Sequence, residues 1–299
     1  MKANQGRRKK EKLFLAGCVL PAMTGFCIFT LYPAFQVFRM SLYKWSGGTG
    51  KRTFIGFENF KTLFSSGQFW MAFRNTLFLM VFVTAVTMSI ALFFAAVISR
   101  GKVKEASLYR IVLFFPNVLS VVVIGIIFKN LFNPLTGIVN SVLTAVGMTE
   151  VPNWLGDSRY VLWVIAAAMV WQAVGYYMVM YIAGMDGISP ELYEVAELEG
   201  AGRIQEFFQI TLPLIWPTVR TTIIFFILST LNMSFQFVTV MTNGEPQGHS
   251  EVLLSYVNKQ AFGNANFGYA MSASVVIFVC LFVMAVTAQK LTSGKGDAA

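Results

Sequence analysis

Residues 160–185 read YVLWVIAAAMVWQAVGYYMVMYIAGM, 26 positions without a charge, and residues 186–206 then read DGISPELYEVAELEGAGRIQE. The first stretch exceeds the roughly 20 apolar residues that a helix needs to cross about 30 Å of hydrocarbon. Lipid offers a backbone no hydrogen-bond partner, so a stretch that crosses it has to be helical. The second stretch reverses the composition within one residue. It places Asp186, Glu191, Glu194, Glu197, Glu199 and Glu206 against a single Arg203, directly at the mouth of the apolar run.

Working outward, five more charge-free stretches meet that length or nearly so: residues 13–38, 75–99, 111–128, 221–243 and 261–289. The expected fold class is an all-α membrane protein of six transmembrane helices, with a cytoplasmic hairpin between spans four and five. The expected organisation is a tail over residues 1–12, a membrane domain over 13–290 whose fourth loop spans 184–217, and a tail over 291–299. Composition agrees, because 56% of the residues are hydrophobic and 12% charged, where a soluble domain is about a quarter charged. The first apolar run is too long for a signal-peptide core and no small-residue cleavage site follows it, so it reads as a retained span.

The net charge of +9 does not point to nucleic acid, since the basic residues gather at the ends of apolar stretches rather than along one soluble face. Cys18, Cys27 and Cys280 all lie inside apolar stretches, without metal-ligand spacing, and read as small packing residues. Lys and Arg in short loops orient the chain. Lys2, Arg7, Arg8, Lys9, Lys10 and Lys12, then Arg100, Lys102, Lys104 and Arg110, then Lys290 and Lys295 place both termini and the even-numbered loops in the cytoplasm. The loop from Arg39 to Arg74 dissents, being basic yet outward. Within the outward loops, Phe57, Phe60, Leu63 and Phe64, and then Ile138, Val142, Leu143 and Val146, recur at helical spacing. They predict short helices that either lie on the outer membrane surface or pack over the bundle mouth.

The acidic loop opens on Ser189-Pro190-Glu191, a helix start with Ser as N-cap, Pro in the first turn and acids near the positive dipole end. That helix meets Gly200, a natural stop, and a second one is expected from about Gly202 to Leu212, ending at Pro213. The anionic cytoplasmic leaflet attracts bases, so an acidic hairpin is either a solvated connector or a docking element for another protein. Glu194-Val195-Ala196, then Gly200, then Ile210, Leu212 and Pro213, resemble the cytoplasmic loop signature of binding-protein-dependent transporter permeases. That signature reads Glu-Ala-Ala, three residues, Gly, nine residues, Ile, one residue, Leu-Pro. Val195 in place of Ala is the one departure.

The resemblance extends over nearly the whole chain. Phe57-Glu58-Asn59-Phe60, Asn75-Thr76, Phe132-Asn133-Pro134 with Gly137 and Asn140, residues Met241 to Pro246, and Phe267-Gly268-Tyr269-Ala270 look like the carbohydrate-uptake branch. The short C-terminus after span six looks like the first-type permease of a heterodimeric sugar importer. The resemblance implies a coupling hairpin that docks on a cytoplasmic ATPase through Tyr193, Glu194, Ala196, Glu197, Gly200 and Ala201. It also implies a second homologous permease, an extracytoplasmic solute-binding protein, a lipid-embedded site in the bacterial inner membrane, and ATP held by the partner subunit rather than by any cofactor of this chain.

Polar residues inside spans cost free energy and need a reason. Trp171 and Gln172 in span four, Asn232 and Gln236 in span five and Asn117 in span three are the candidate substrate path. Each either touches a sugar, as amides beside aromatic faces would, or glues helices together. No ionisable residue sits at the centre of a span, which argues for energy supplied from outside the chain. The run Gly48-Thr49-Gly50-Lys51-Arg52-Thr53 is a near miss to a phosphate loop, with Trp45 at the first glycine position and Arg52 where Ser or Thr belongs. His249 has no metal-ligand companion. The rival readings are a self-sufficient secondary carrier or channel, which has no use for the hairpin, and an intramembrane enzyme, for which nucleophile and metal motifs are missing.

Overall fold

The computed structural model describes residues 2–100 and 105–292. Lys102, Lys104 and Lys295 lie outside the described residues, and the basic tail side chains up to Lys12 lie outside them too. The helix of span one begins at Lys2, so the basic tail continues that span as helix.

Among the described residues, five helices are long and apolar enough to cross a membrane: Phe14–Met40, Gly67–Ser99, Val161–Asp186, Arg203–Met241 and Phe267–Thr287. The expected third span is broken into Ala106–Val118 and Val121–Leu131, bent by 98°, and counts as a sixth only if the pair crosses as one. The cause is local. Leu119 and Ser120 both take extended backbone, with ψ of 145° and 147°. The Ser120 hydroxyl then accepts the N–H of Val123 at 3.3 Å, capping the second piece. Sequence periodicity carries no trace of a two-residue break inside an apolar run.

Two spans contain a five-residue π turn, and both follow one rule. Cys27–Leu31 is followed by Tyr32 and Pro33, and Phe207–Thr211 by Leu212 and Pro213. Proline lacks an N–H and its ring presses on the carbonyl four residues back. A wide turn just before it relieves that contact and lets the helix run on. Pro213 therefore does not end the second helix of the acidic hairpin, as expected from sequence. Arg203–Glu206, the π turn and Leu212–Met241 form one continuous rod.

By contact density the chain divides into two units. The first joins the chain up to Ser65 with Val257–Val279. It contains a hairpin absent from the sequence reading, Tyr43–Lys44 paired antiparallel with Thr53–Phe54. The near-miss phosphate loop is the tip of this hairpin, and Arg52 lies over the Trp45 ring at 4.7 Å. The expected short helix appears as Glu58–Phe64, burying Asn59 and Leu63.

The second unit runs from Ser66 to Tyr256 and takes up the chain again from Cys280. Its centre is span four, whose most apolar window is 61% buried, against 0% for span one. Lipid gives helices no hydrophobic drive to associate, so small residues and interhelical hydrogen bonds must hold them. Span four supplies both. A side chain on Gly175 would strike the Leu113 carbonyl, and the Tyr181 hydroxyl bonds Thr222 Oγ1 at 2.7 Å. The other expected short helix is Ile138–Ala145, and Asn140 anchors its loop. Asn140 donates to the carbonyls of Pro134 and Pro152 and accepts the Trp154 indole N–H at 2.6 Å. Asn75 and Thr76 clamp the loop after span five in the same manner: Asn75 donates to the carbonyls of His249 and Glu251, and Thr76 accepts the N–H of Leu253.

Candidate functional site

The acidic loop forms the hairpin that its residues imply. Ser189 stands at the N-cap position with Pro190 in the first turn, although the Ser189 side chain makes no capping bond. The helix Pro190–Leu198 ends on Gly200 at φ +83°. The N–H of Gly200 bonds the Glu197 carbonyl and that of Ala201 the Ala196 carbonyl, at 3.1 and 2.9 Å. This is the Schellman pattern, in which a left-handed residue closes the orphan carbonyls, and glycine adopts it without strain. A Cβ at Gly200 would meet nothing within 4 Å.

Tyr193 lies inside the hairpin. It is 3% exposed, with its hydroxyl 3.0 Å from Thr211 Oγ1. It clamps the first limb of the hairpin to the second. Glu194, Glu197 and Gly200 are exposed, and Ala196 and Ala201 are half-buried. These last two wall a cleft of about 330 Å³ between the limbs, with Glu199, Gln205 and Gln209. What the sequence reading missed is apolar: Leu192, Val195, Leu198, Ile204 and Phe208 are all exposed, Leu198 by 88%. The signal was there in the three-residue spacing of Leu192, Val195 and Leu198, but the run of acids masked it.

Span five carries a second feature. Thr221, Phe225, Ser229, Asn232, Gln236 and Thr239 are exposed at helical spacing, a stripe down one face. The hydroxyls of Thr221, Ser229 and Thr239 donate to the carbonyl four residues back. The side chains of Asn232 and Gln236 make no hydrogen bond among the described residues. Trp171 lies elsewhere. It touches Phe128 at 5.7 Å and lines an otherwise apolar cavity of about 560 Å³ with Phe82, Val112 and Trp163. Gln172 and Asn117 are half-buried, Asn117 near the break in the third span. The five candidates thus divide between one polar stripe and the surroundings of the broken helix.

At the root of the hairpin, Asp186 ends span four. It accepts from Ser99 Oγ at 3.1 Å and lies 3.9 Å from Arg110 Nη2. The hairpin, the end of span two and the start of the third span therefore meet at one carboxylate.

A family model described as "Binding-protein-dependent transport system inner membrane component" matches residues 87–290. The chain belongs to that family. It is the membrane-spanning permease subunit of an ATP-binding-cassette importer. The permease is 32% identical to the diacetylchitobiose uptake system permease of Streptomyces coelicolor, over 98% of this chain and 88% of that protein. It is 32% identical to the lactose transport system permease of Rhizobium radiobacter, over 89% of each. Among solved structures it matches a chain of a bacterial importer of the acidic polysaccharide alginate, with a TM-score of 0.85 over 97% of this permease at 24% identity. The family is one of transport components, and its members sit in the inner membrane as multi-pass proteins.

Proposed function

We propose that this permease moves a mono- or oligosaccharide by alternating access, driven by a separate cytoplasmic ATPase that grips the hairpin at residues 184–217. The observation that carries the reading is the hairpin itself. Its turn is set by Gly200 in a left-handed conformation, and it presents Leu192, Val195, Leu198, Ile204 and Phe208 among exposed acids. Exposed apolar side chains framed by charge mark a protein contact. Glu194, Glu197, Gly200 and Ala201 border that patch, so a cleft lined by basic and apolar groups on the ATPase fits it. Both termini lie on the hairpin side, in the cytoplasm, by the distribution of Lys and Arg.

The sugar class is supported by the relatives, which are named for diacetylchitobiose, lactose and arabinooligosaccharides. Asn232 and Gln236 are the groups assigned to substrate, because amides without partners in a membrane span need one. Trp171, Gln172 and Asn117 line the path further along. A second, homologous permease closes the stripe into a channel, and a solute-binding protein delivers the sugar. One structural match, likewise 24% identical, is an alginate transporter solved with its periplasmic protein bound.

The test is reconstitution of the permease in vesicles with and without its ATPase, second permease and binding protein. The expected result is sugar-stimulated ATP hydrolysis and uptake only with all of them. Sugar flux through the permease alone would favour a self-sufficient carrier and end this reading.

A further inference from the structure

The hairpin after span one is held rigidly against membrane-spanning helix at two places. Span one ends at Met40 and the first strand begins at Tyr43, only three residues on. Phe267 begins span six, and the Gly268 N–H donates to the Trp45 carbonyl at 3.0 Å. A Cβ on Gly268 would overlap the Tyr43 carbonyl oxygen, so the two backbones are in direct contact. Asn59 donates to the carbonyls of Ser41 and Tyr43 at 2.7 and 3.0 Å, fixing the short helix Glu58–Phe64 to the same strand. The result is a platform pinned at the level where hydrocarbon gives way to headgroups.

The surface of this platform has a composition that suits that level and little else. Phe54 is 63% and Phe57 75% exposed. Lys44, Lys51, Arg52 and Lys61 are exposed around them, and none makes an ion pair among the described residues. From Ser41 to Ser65 the only acid is Glu58. Aromatic rings gain from the interfacial layer, and basic side chains gain from anionic lipid beneath them.

We propose that this platform binds anionic phospholipid headgroups of the leaflet on which it lies. Phe54 and Phe57 enter the interface, while Lys44, Lys51 and Arg52 meet the phosphates. The assignment does not depend on which side of the membrane the platform faces. It does account for a basic loop on the side that charge counting calls outward, since the charges face phosphate there.

The experiment uses the complete transporter in nanodiscs of mixed phosphatidylcholine and phosphatidylglycerol. A photo-crosslinking benzoylphenylalanine replaces Phe57 or, as control, Phe29, which is 80% exposed on span one. Mass spectrometry then identifies what each has captured. The expected result is lipid at both positions. At position 57 phosphatidylglycerol should exceed its share of the disc several-fold, falling back to that share in a Lys51→Gln/Arg52→Gln background. At position 29 it should match its share throughout. Capture of a protein partner alone at position 57, no capture there while position 29 reacts, or capture in proportion with and without the charges would each overturn the proposal.

Discussion

Replacing Gly175 by Ala puts one methyl group where span four has none to spare. The added Cβ would overlap the Leu113 carbonyl oxygen and lie 2.5 Å from its carbon and 2.7 Å from Phe114 Cα. All three are backbone atoms, so no rotamer change makes room. Ordinary contact begins near 3.4 Å, and the helix Ala106–Val118 must therefore retreat. Overpacking of this kind costs about 1–3 kcal/mol. Part of that is hidden by the helix propensity of Ala, about 1 kcal/mol better than Gly. Gly17→Ala isolates the propensity gain, since a Cβ there meets nothing within 4 Å. Thermal unfolding of the purified transporter, followed by tryptophan fluorescence, should show Gly17→Ala at or slightly above the parent. Gly175→Ala should unfold clearly below it and transport more slowly, because the displaced helix leads straight into the break at Leu119 and Ser120. Equal midpoints for the two variants would refute the close-approach argument.

Gly200→Val should abolish sugar-stimulated ATP hydrolysis while the protein still inserts, because a β-branched residue at φ +83° costs at least about 1–2 kcal/mol. Gly200→Asn, which tolerates that region, should retain more coupling, and normal coupling in Gly200→Val would dismiss the hairpin as the docking element. Tyr193→Phe removes the bond to Thr211, worth about 0.5–1.5 kcal/mol; increased protease cutting of the hairpin should report the loosened clamp. Asn232→Ala should shift sugar selectivity or uptake rate with assembly intact, and loss of the assembled complex instead would assign Asn232 a structural role.

Length and polarity made the spans legible, because a membrane leaves so few options for backbone hydrogen bonding. The hairpin turn was equally plain at Gly200, where only one residue type closes a helix without strain. The motif residues Asn59, Asn75 and Asn140 were readable as a resemblance but not as chemistry. Each side chain satisfies carbonyls of another segment, 16 or 18, 174 or 176, and 6 or 12 residues away, respectively. The burial of Tyr193 was not legible, because the run of acids around it gives no sign of which face of the helix packs inward. Its hydroxyl partner, Thr211, is the last residue of a proline-adjacent π turn that no periodicity announces. The break after Val118 was invisible for a related reason: Leu119 is apolar like its neighbours, and the extended backbone that it adopts leaves no compositional mark.

The π turn at Phe207–Thr211 stands between the hairpin and the exposed stripe of span five. A π turn holds one residue more than the α geometry requires. Deleting a single residue there has somewhere to go: the helix can close up without a gap. Asn232 and Gln236 would then keep their facing, because four α residues turn the axis about as far as five π residues, whereas the same deletion in the α-helical stretch would swing them about 100° around the axis and shift them about 1.5 Å. The surplus residue is thus slack stored in the rod, which can be taken up without turning the amides away from the seating of the lever beneath them.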